Sequence, residues 1–300
     1  MISALISRIK TGTFTLVFDD FKQITKVGLS LSVVFSSLAG YLLGANTISY
    51  NILILLAFGG YCMVGASNAF NQVIERDLDA LMKRTQNRPI PSGRMSVQTA
   101  LIIAVVFTIV GIAALYIVNP KTAMFGGISI FLYTSVYTPL KTRTPLSVFV
   151  GAFPGAIPFM LGWVAATNDF GIEAGVLFMI QFFWQFPHFW AIGWVLYDDY
   201  KKAGFNLLPT GKRDKATALQ IIMYTFWMMI VAVIPVTGLT GALKLSVVSA
   251  IIISIFGLVM MLYAFRLYHR RDNIAARQLM LASVLYITVI QIIYVIDKFV

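Results

Sequence analysis

The sequence has few charged residues for its length. Of its 300 residues, 12% are charged and 59% are hydrophobic, whereas a typical soluble domain carries about 25% charged residues. So little charge excludes an ordinary soluble globular protein. It indicates instead that most of the surface faces lipid.

Cysteine is almost absent, because the chain contains only Cys62. One cysteine in an apolar run excludes a disulfide framework and predicts a buried structural thiol. The short alternating strands of a β-barrel are also missing, and the apolar runs are unbroken. The net charge of +11 does not indicate nucleic-acid binding, because the basic residues lie beside the apolar runs.

Nine apolar stretches approach or reach the length of about 20 residues that a helix needs to cross the hydrocarbon core. We therefore predict an all-α polytopic membrane helical bundle. A cytoplasmic amphipathic leader is predicted over 1–23 and a single transmembrane domain over 24–300. The predicted spans are 24–44, 51–74, 97–118, 121–138, 146–166, 173–196, 217–238, 245–265 and 277–297.

Lysine and arginine are distributed unevenly about these spans. On the side of the N-terminus lie 20 of the 23 basic residues, which leaves Lys121, Lys244 and Lys298 on the other side. Because cytoplasmic loops are rich in these residues, we predict a cytoplasmic N-terminus and a C-terminus on the opposite side. His269 is predicted in a basic loop between the last two spans.

The connection after the second span combines oxygen-bearing side chains at helical spacing. Asn71, Glu75 and Asp79 follow each other at intervals of four, so they form one stripe on a helix. Three oxygen donors suit a hard cation such as Mg²⁺, and Arg84 and Arg88 suit phosphate oxygens. The combination predicts a metal–diphosphate site. The competing interpretation is a loop of solvated charges with topogenic arginines.

The sixth span is unusually polar and aromatic. On a straight helix Gln181, His188 and Asp199 would return to nearly one face, although Pro187 can kink it. Polar groups inside a span usually face the bundle interior and are candidate functional residues. The competing interpretation of His188 is a neutral imidazole hydrogen-bonded to a neighbouring helix.

The end of the fourth span and the connection after it contain Tyr133, Tyr137, Lys141 and Arg143. Alone, these residues are typical of an interfacial aromatic belt with positive-inside charge.

Four stretches, 71–89, 137–145, 155–163 and 187–204, resemble the UbiA-type intramembrane prenyltransferases. The closer resemblance is to their protohaem IX farnesyltransferase branch, and the first stretch is similar to the first aspartate-rich motif of the family. The likeness covers most of residues 60–210. The last three spans resemble the family only in length and hydrophobicity.

The resemblance implies transfer of a farnesyl group from farnesyl diphosphate to a vinyl group of haem B, giving haem O, with Mg²⁺, in a bacterial inner membrane. It implies haem A synthase or terminal oxidase assembly as a destination of the product. The implied catalytic and metal residues are Asn71, Glu75, Asp79, Asp198 and Asp199. The implied diphosphate-binding residues are Arg84, Arg88, Lys141, Arg143 and Lys202, and those of a haem or prenyl pocket are Asn68, Tyr133, Tyr137, Trp184 and His188.

The sequence departs from the family at two places that bear on the metal. Glu75 stands where the family usually has aspartate, which keeps the carboxylate but adds one methylene. Of the second acidic motif only Asp198 and Asp199 remain, which leaves open whether a second metal is held by the protein.

Three other functions fit parts of the pattern. A related prenyltransferase could use a quinone or a hydroxybenzoate as acceptor. A transporter of a hydrophobic anion would favour internal repeats and broken helices near the midplane, and no convincing repeat is visible. A haem-binding assembly factor without chemistry would not need Asn71, Glu75 and Asp79 at helical spacing.

Overall fold

A computed structural model of the chain describes residues 18–300, so most of the predicted leader lies outside the described residues. Within 18–300 the regular structure is entirely helical. The long helices are α1 (Val27–Gly44), α2 (Tyr50–Ile74), α3 (Val97–Val118), α4 (Pro120–Leu140), α5 (Ser147–Thr167), α6 (Ile172–Val195), α7 (Lys215–Val231), α8 (Val247–Arg270) and α9 (Asn273–Phe299). Each lies at one of the nine predicted spans, which confirms the all-α membrane bundle.

Eight of these helices are long and apolar enough to cross a membrane. The exception is α6, whose 24 residues include Glu173, Gln181, Gln185 and His188. These polar side chains lower its mean hydropathy, but both glutamines are buried in the protein. These two glutamines are therefore shielded from lipid. The other helices expose large apolar side chains, as expected of a multi-pass membrane protein.

Several helices begin at residues that the sequence marks as N-caps. Ser96, Asn119, Asp214, Ser246 and Asp272 each accept a hydrogen bond from the backbone N–H three residues later. Such caps satisfy donors that the first turn of a helix leaves unpaired.

Two predicted boundaries are wrong at the end of the chain. The eighth helix continues to Arg270 and the ninth begins at Asn273, so the predicted basic loop shrinks to a two-residue turn. His269 lies in the last turn of α8 and not in a loop. Polar side chains do not end a helix by themselves, because their long stems can lie along it while their charged ends reach water.

The predicted face from Gln181 to Asp199 is also interrupted. Pro187 lies inside α6 without ending it, but the helix stops at Val195 because Leu196 leaves the helical conformation (φ −96°, ψ 12°). Asp199 belongs to a separate short helix, Tyr197–Lys202. Its side chain therefore does not continue the phase of α6.

Helix α5 is the most buried of the eight apolar helices and packs against α1, α4 and α6. Its contact with α1 is close because glycines meet there: a Cβ on Gly162 would overlap the backbone of Ser37 and Tyr41, and one on Gly40 would overlap the carbonyl of Phe159. A Cβ on Gly155 would likewise overlap Gln185 of α6. Small residues allow this approach where lipid provides no hydrophobic driving force.

The connections after α2, α4 and α6 meet at one end of the bundle, which we call the loop face. The Asp199 carboxylate binds the backbone N–H groups of Lys83 and Arg84. The Asn206 N–H donates to the Lys141 carbonyl at 2.9 Å. The three predicted polar connections therefore contact one another at the loop face.

Candidate active site

Asn71, Glu75 and Asp79 occupy consecutive turns at the loop-face end of α2. Helix α2 ends at Ile74 and a short helix, Arg76–Asp79, follows. The four-residue backbone pattern nevertheless continues, because the N–H of Glu75 donates to the carbonyl of Asn71 (2.9 Å) and that of Asp79 to the carbonyl of Glu75 (2.7 Å). All three residues are buried, with at most 4% of their surface exposed.

Each of the two carboxylates faces a basic side chain from further along the chain. Lys141 Nζ lies 2.7 Å from Glu75 Oε1, and Arg88 Nη1 lies 2.6 Å from Asp79 Oδ2. The side chains of both pairs are at most 15% exposed. Burying such charges costs free energy unless they are paired. The two ion pairs therefore offset part of the cost of burying this cluster.

The pKa values of two members reflect this environment. Burial works against the charge on Lys141, but the Glu75 carboxylate and nearby groups outweigh it and hold the pKa of Lys141 above its ordinary value. Burial raises the pKa of Asp79, and the Arg88 guanidinium reverses only part of that rise. The Lys141 side chain therefore stays charged at neutral pH, while Asp79 is more easily protonated than an exposed aspartate.

Asp79 has one oxygen that no protein group satisfies. Its Oδ1 is buried and has no hydrogen-bond partner among residues 18–300. A buried carboxylate oxygen without a partner is rare. Together with the Asn71 amide and Glu75, it provides the oxygen donors that a hard divalent cation prefers.

The carboxylates of the second acidic pair lie in different surroundings. Asp199 accepts from the N–H groups of Lys83 (3.0 Å) and Arg84 (3.2 Å), and Lys202 Nζ lies 3.7 Å away. Burial is the largest single influence and opposes ionisation, but these donors together hold the pKa of Asp199 below its ordinary value. Asp198 is exposed and pairs with Arg213 at 3.0 Å.

These five predicted ligands do not form one compact carboxylate cluster. Among residues 18–300, no group of three or more His, Cys, Asp or Glu side chains is placed to hold a metal ion. The stripe that runs from the end of α2 into the short helix after it contributes two carboxylates and one amide, and Asp199 is occupied by the backbone of the 83–84 segment. The donor set of Asn71, Glu75 and Asp79 still fits a divalent cation that keeps other ligands of its own.

The predicted aromatic residues flank Lys141. The end of α4 is a π-helix, Leu132–Tyr137, which is a common feature of functional sites. It places the rings of Tyr133 and Tyr137 5.3 Å apart and the Tyr137 ring 4.6 Å from Lys141 Nζ. Thr138, in the next turn, accepts a hydrogen bond from the Asn71 side chain at 3.2 Å. The tyrosines thus join the carboxylate site.

The remaining predicted cations lie nearer the surface. The Arg84 guanidinium lies 6.0 Å from the Tyr200 ring, and half of the Lys202 side chain is exposed. Arg143 is exposed in the turn after α4. These three residues lie at the surface of the loop face, whereas Arg88 and Lys141 are paired with the buried carboxylates.

Lys26 is a site residue that the sequence analysis missed. It directly precedes α1 in a left-handed backbone conformation (φ 47°). Burial, followed by the positive charges of Arg88 and Lys141, lowers its pKa to about 7. A signal was present in the sequence, because a lysine inside the predicted 24–44 span is a candidate functional residue by default.

Asn68, predicted for the haem or prenyl pocket, helps to hold the segment before α1. Its side-chain amide donates to the carbonyls of Val64 (3.0 Å) and Thr25 (3.5 Å). Gln72, one turn later, donates to the carbonyls of Gln23 and Ile24. The inner face of α2 therefore fixes the backbone immediately before Lys26.

The side chains of His188 and Trp184 are held against α9. His188 Nδ1 is 2.8 Å from the Ser283 hydroxyl, and the Trp184 indole donates to the Ser283 carbonyl at 2.6 Å. Both rings are partly exposed. The polar contacts of these two side chains therefore run to α9, whereas those of Glu75 and Asp79 run to Lys141 and Arg88.

Comparison with known proteins identifies the group to which these sites belong. The model of the UbiA prenyltransferase family matches residues 33–288, well beyond the 60–210 region where the motifs were recognised. The protein named Protoheme IX farnesyltransferase of Flavobacterium psychrophilum is 67% identical over 286 residues, covering 94% of this chain and 95% of that protein. Its counterpart in Christiangramia forsetii is 67% identical over 284 residues and covers 95% of both chains.

Solved structures show the same fold at low sequence identity. A digeranylgeranylglyceryl phosphate synthase superposes with a TM-score of 0.77 at 15% identity, covering 93% of this chain and 98% of that one. A UbiA homologue from Archaeoglobus fulgidus, solved with GPP and Mg²⁺ bound, gives a TM-score of 0.65 at 15% identity, with 92% and 99% covered. The chain therefore belongs to the UbiA prenyltransferase family and has the fold of its membrane enzymes.

Proposed function

We propose that this chain transfers the farnesyl group of farnesyl diphosphate to a vinyl group of haem B, giving haem O, with Mg²⁺ as the metal. The observation that carries the proposal is the pair of buried ion pairs, Glu75–Lys141 and Asp79–Arg88, at the loop face. Relatives at 67% identity that are named for this activity support the choice of acceptor.

The ion pairs suit a site whose ligand brings both signs of charge. A metal–diphosphate complex offers a cation to Glu75 and Asp79 and phosphate oxygens to Lys141 and Arg88. Asn71, Glu75 and Asp79 would hold the metal, which supplies positive charge next to the diphosphate when it is bound. The unpartnered Asp79 Oδ1 supports this assignment, because it gains a ligand without losing a hydrogen bond.

The basic residues act on the leaving group. Positive charge placed where negative charge develops lowers the barrier to ionisation. Lys141 and Arg88 would bind the diphosphate inside the site and Lys26 would face it from the start of α1. Arg84, Arg143 and Lys202 would attract it at the surface of the loop face, where exposed charges steer ligands.

The reaction has three bond changes. The bond from C1 of the farnesyl group to the diphosphate oxygen breaks, and its electrons leave with the diphosphate. The terminal vinyl carbon of haem then attacks C1, and water adds to the resulting cation next to the porphyrin with loss of a proton. Apolar surroundings protect the allylic cation from premature attack by water, and the rings of Tyr133 and Tyr137 can stabilise it through cation–π contact.

For Asp199 we propose a positioning role alongside its predicted metal role. Its two oxygens hold the backbone of Lys83 and Arg84, so it fixes the start of the segment that leads to Arg88. Direct ligation of a metal would require release of those N–H groups. Asp198, paired with Arg213, would act only if that exposed pair opened.

The predicted surroundings complete the proposal. We propose a bacterial inner membrane, with the loop face cytoplasmic and the C-terminus on the opposite side. Haem A synthase or a terminal oxidase in assembly remains the proposed destination of the product.

The test is product identification with purified protein, farnesyl diphosphate and Mg²⁺. Haem B, hydroxybenzoate and a quinone precursor are supplied in separate reactions, and the products are analysed by mass spectrometry. The proposal expects haem to gain one farnesyl group and one hydroxyl group. A prenylated aromatic acid or quinone, with unmodified haem, would establish the rival acceptor.

A further inference from the structure

The imidazole of His188 is held by two contacts, one with Ser283 of α9 and one with Trp184 of its own helix. Its Nδ1 lies 2.8 Å from Ser283 Oγ. One face of the ring stacks on the Trp184 indole, with centroids 4.7 Å apart and planes inclined by 16°. Trp184 is itself anchored, because its N–H donates to the Ser283 carbonyl at 2.6 Å. The ring therefore has little freedom to turn.

The same contacts determine which imidazole nitrogen carries the proton. Ser283 is fully buried, and its hydroxyl donates to the carbonyl of Met280 at 2.7 Å. A hydroxyl has one proton to donate and a carbonyl can only accept, so the proton between Ser283 and His188 must belong to Nδ1. In a neutral imidazole this leaves Nε2 as a lone pair.

That lone pair is available to a ligand. Among residues 18–300, the groups that hydrogen-bond the ring are the Ser283 hydroxyl, at Nδ1, and the backbone of Met280 one turn earlier on α9, and the side chain is partly exposed. An imidazole with Nδ1–H anchored by a protein oxygen and a free Nε2 is the form in which histidine binds metals. Nitrogen from histidine is also a common axial ligand of haem iron.

We propose that His188 ligates the iron of the haem acceptor through Nε2, and that Ser283 and Trp184 are positioning residues that fix its tautomer and ring plane. The inference rests on the proposed function, because haem is its substrate. It adds a residue of α9, where the sequence motifs of the family were not recognised. Ligation at a fixed nitrogen would hold the porphyrin in one position during vinyl attack.

The experiment is a titration of the purified protein with ferric haem, without farnesyl diphosphate, followed by absorption and resonance Raman spectroscopy. The protein is purified with a tag that lacks histidine. Wild type should show an iron–histidine signature, and His188→Ala should lose it and regain it when free imidazole is added. His269→Ala is the matched control, because it replaces the only other histidine of the chain at an exposed position, and it should match wild type.

Ser283 has its own variants. Ser283→Ala should weaken haem binding by about ten-fold, at the lower end for partners that orient a metal ligand, and should shift the iron–nitrogen stretch. Ser283→Thr keeps the hydroxyl and should restore both. The fold of each variant is checked by its affinity for farnesyl diphosphate, which the carboxylate site controls.

The possible failures are distinguishable. If His188→Ala keeps the iron–histidine signature or wild-type haem affinity, the ligation proposal is overturned while the proposed function stands. Identical spectra and affinities for Ser283→Ala and wild type would overturn the positioning role. A wild-type protein that binds no haem would overturn both the inference and the proposed function.

Discussion

At the scale of single residues, the buried ion pairs are the feature that most needs explanation. Lysine, arginine and carboxylates are almost never fully buried unless paired, and replacing a buried pair by apolar residues is often neutral or stabilising. Stability alone therefore does not account for Glu75–Lys141 and Asp79–Arg88. The proposed metal–diphosphate ligand, which binds both partners of each pair, would account for them.

Separating stability from function needs single and double variants. Lys141→Met leaves the Glu75 carboxylate buried without a cation, so we expect a loss of about 3–5 kcal/mol in the free energy of unfolding. Glu75→Gln combined with Lys141→Met removes both charges and should recover most of that loss. Chemical unfolding in detergent measures the stability, and farnesyl transfer should be absent from both proteins. A double variant with normal transfer would contradict the proposed role of the pair.

Lys26 provides a pH-dependent test. Its pKa falls from an ordinary 10.5 to about 7 in the fold, so between these values the unfolded chain binds one more proton and stability rises with pH. The cost of the charge is complete below about pH 7 and is relieved as the pH rises towards 10.5. Lys26→Met should therefore raise the melting temperature relative to wild type more at pH 6 than at pH 9.

The control for this prediction is Lys22→Met, at an exposed position four residues earlier. Its effect on the melting temperature should be small at both values of pH. A Lys26→Met difference that is the same at pH 6 and pH 9 would show that the Lys26 ammonium is not disfavoured by the fold.

Residue types could be predicted from the sequence, but their partners could not. The spacing of Asn71, Glu75 and Asp79 indicated oxygen donors on one stripe. No local pattern indicates that Lys141 reaches Glu75, because 66 positions separate them and only the packing of α4 against α2 brings them together. The role of Ser283 was hidden for the same reason.

At the scale of helices, the crossing of α1 and α5 determines how closely the bundle can pack. Gly40 and Gly162 bring the two backbones into contact, and no side chain lies between them. Because α1 begins beside Lys26 and α5 packs against α4 and α6, this crossing also positions the site. The 155–163 motif is therefore explained by packing.

Adding one methyl group at this crossing tests the account. Gly162→Ala would overlap the backbone of α1, which cannot move as a side chain can, so we expect a loss of about 1–3 kcal/mol or more in stability. Gly28→Ala on α1 is the matched control, because a Cβ there meets nothing within 4 Å. It should be neutral or slightly stabilising, since alanine favours the helix. Equal unfolding curves for the two variants would contradict the close crossing.

The helices themselves could largely be predicted from hydropathy, and their ends could not where polar residues continue a helix. Arg266 marked the expected end of the eighth span, but α8 continues to Arg270. Asp272 caps α9 through the Ala275 N–H, so a usable signal was present in the sequence. The π-helix at the end of α4 has no comparable sequence signal.

At the scale of the whole molecule, charge is segregated between the two ends of the bundle. The loop face includes the connections after α2, α4 and α6. The opposite end is held by hydrogen bonds of its own. There Lys298 Nζ donates to the carbonyls of Leu42 and Leu43, and Glu173 accepts from the N–H of Ala242. The segregation of lysine and arginine therefore predicts one orientation in the membrane.

That orientation can be measured with single cysteines. In a Cys62→Ala background, Arg143→Cys lies at the loop face and Lys244→Cys at the opposite end, and both positions are exposed. A membrane-impermeant maleimide applied to intact cells, with the outer membrane permeabilised, should label Lys244→Cys alone. Disrupted cells should label both. Labelling of Arg143→Cys in intact cells would reverse the proposed orientation.

The central claim is that the carboxylates at the end of α2 hold the metal–diphosphate complex, and the most direct test is haem O formation by three variants across a range of Mg²⁺ concentrations. Glu75→Gln and Asp79→Asn should lower the rate by about 100-fold or more, the scale of removing one group that stabilises transition-state charge. Asp77→Asn, between them and with its side chain 87% exposed, should keep the wild-type rate and Mg²⁺ dependence. Wild-type rates and Mg²⁺ dependence in Glu75→Gln and Asp79→Asn would contradict the account.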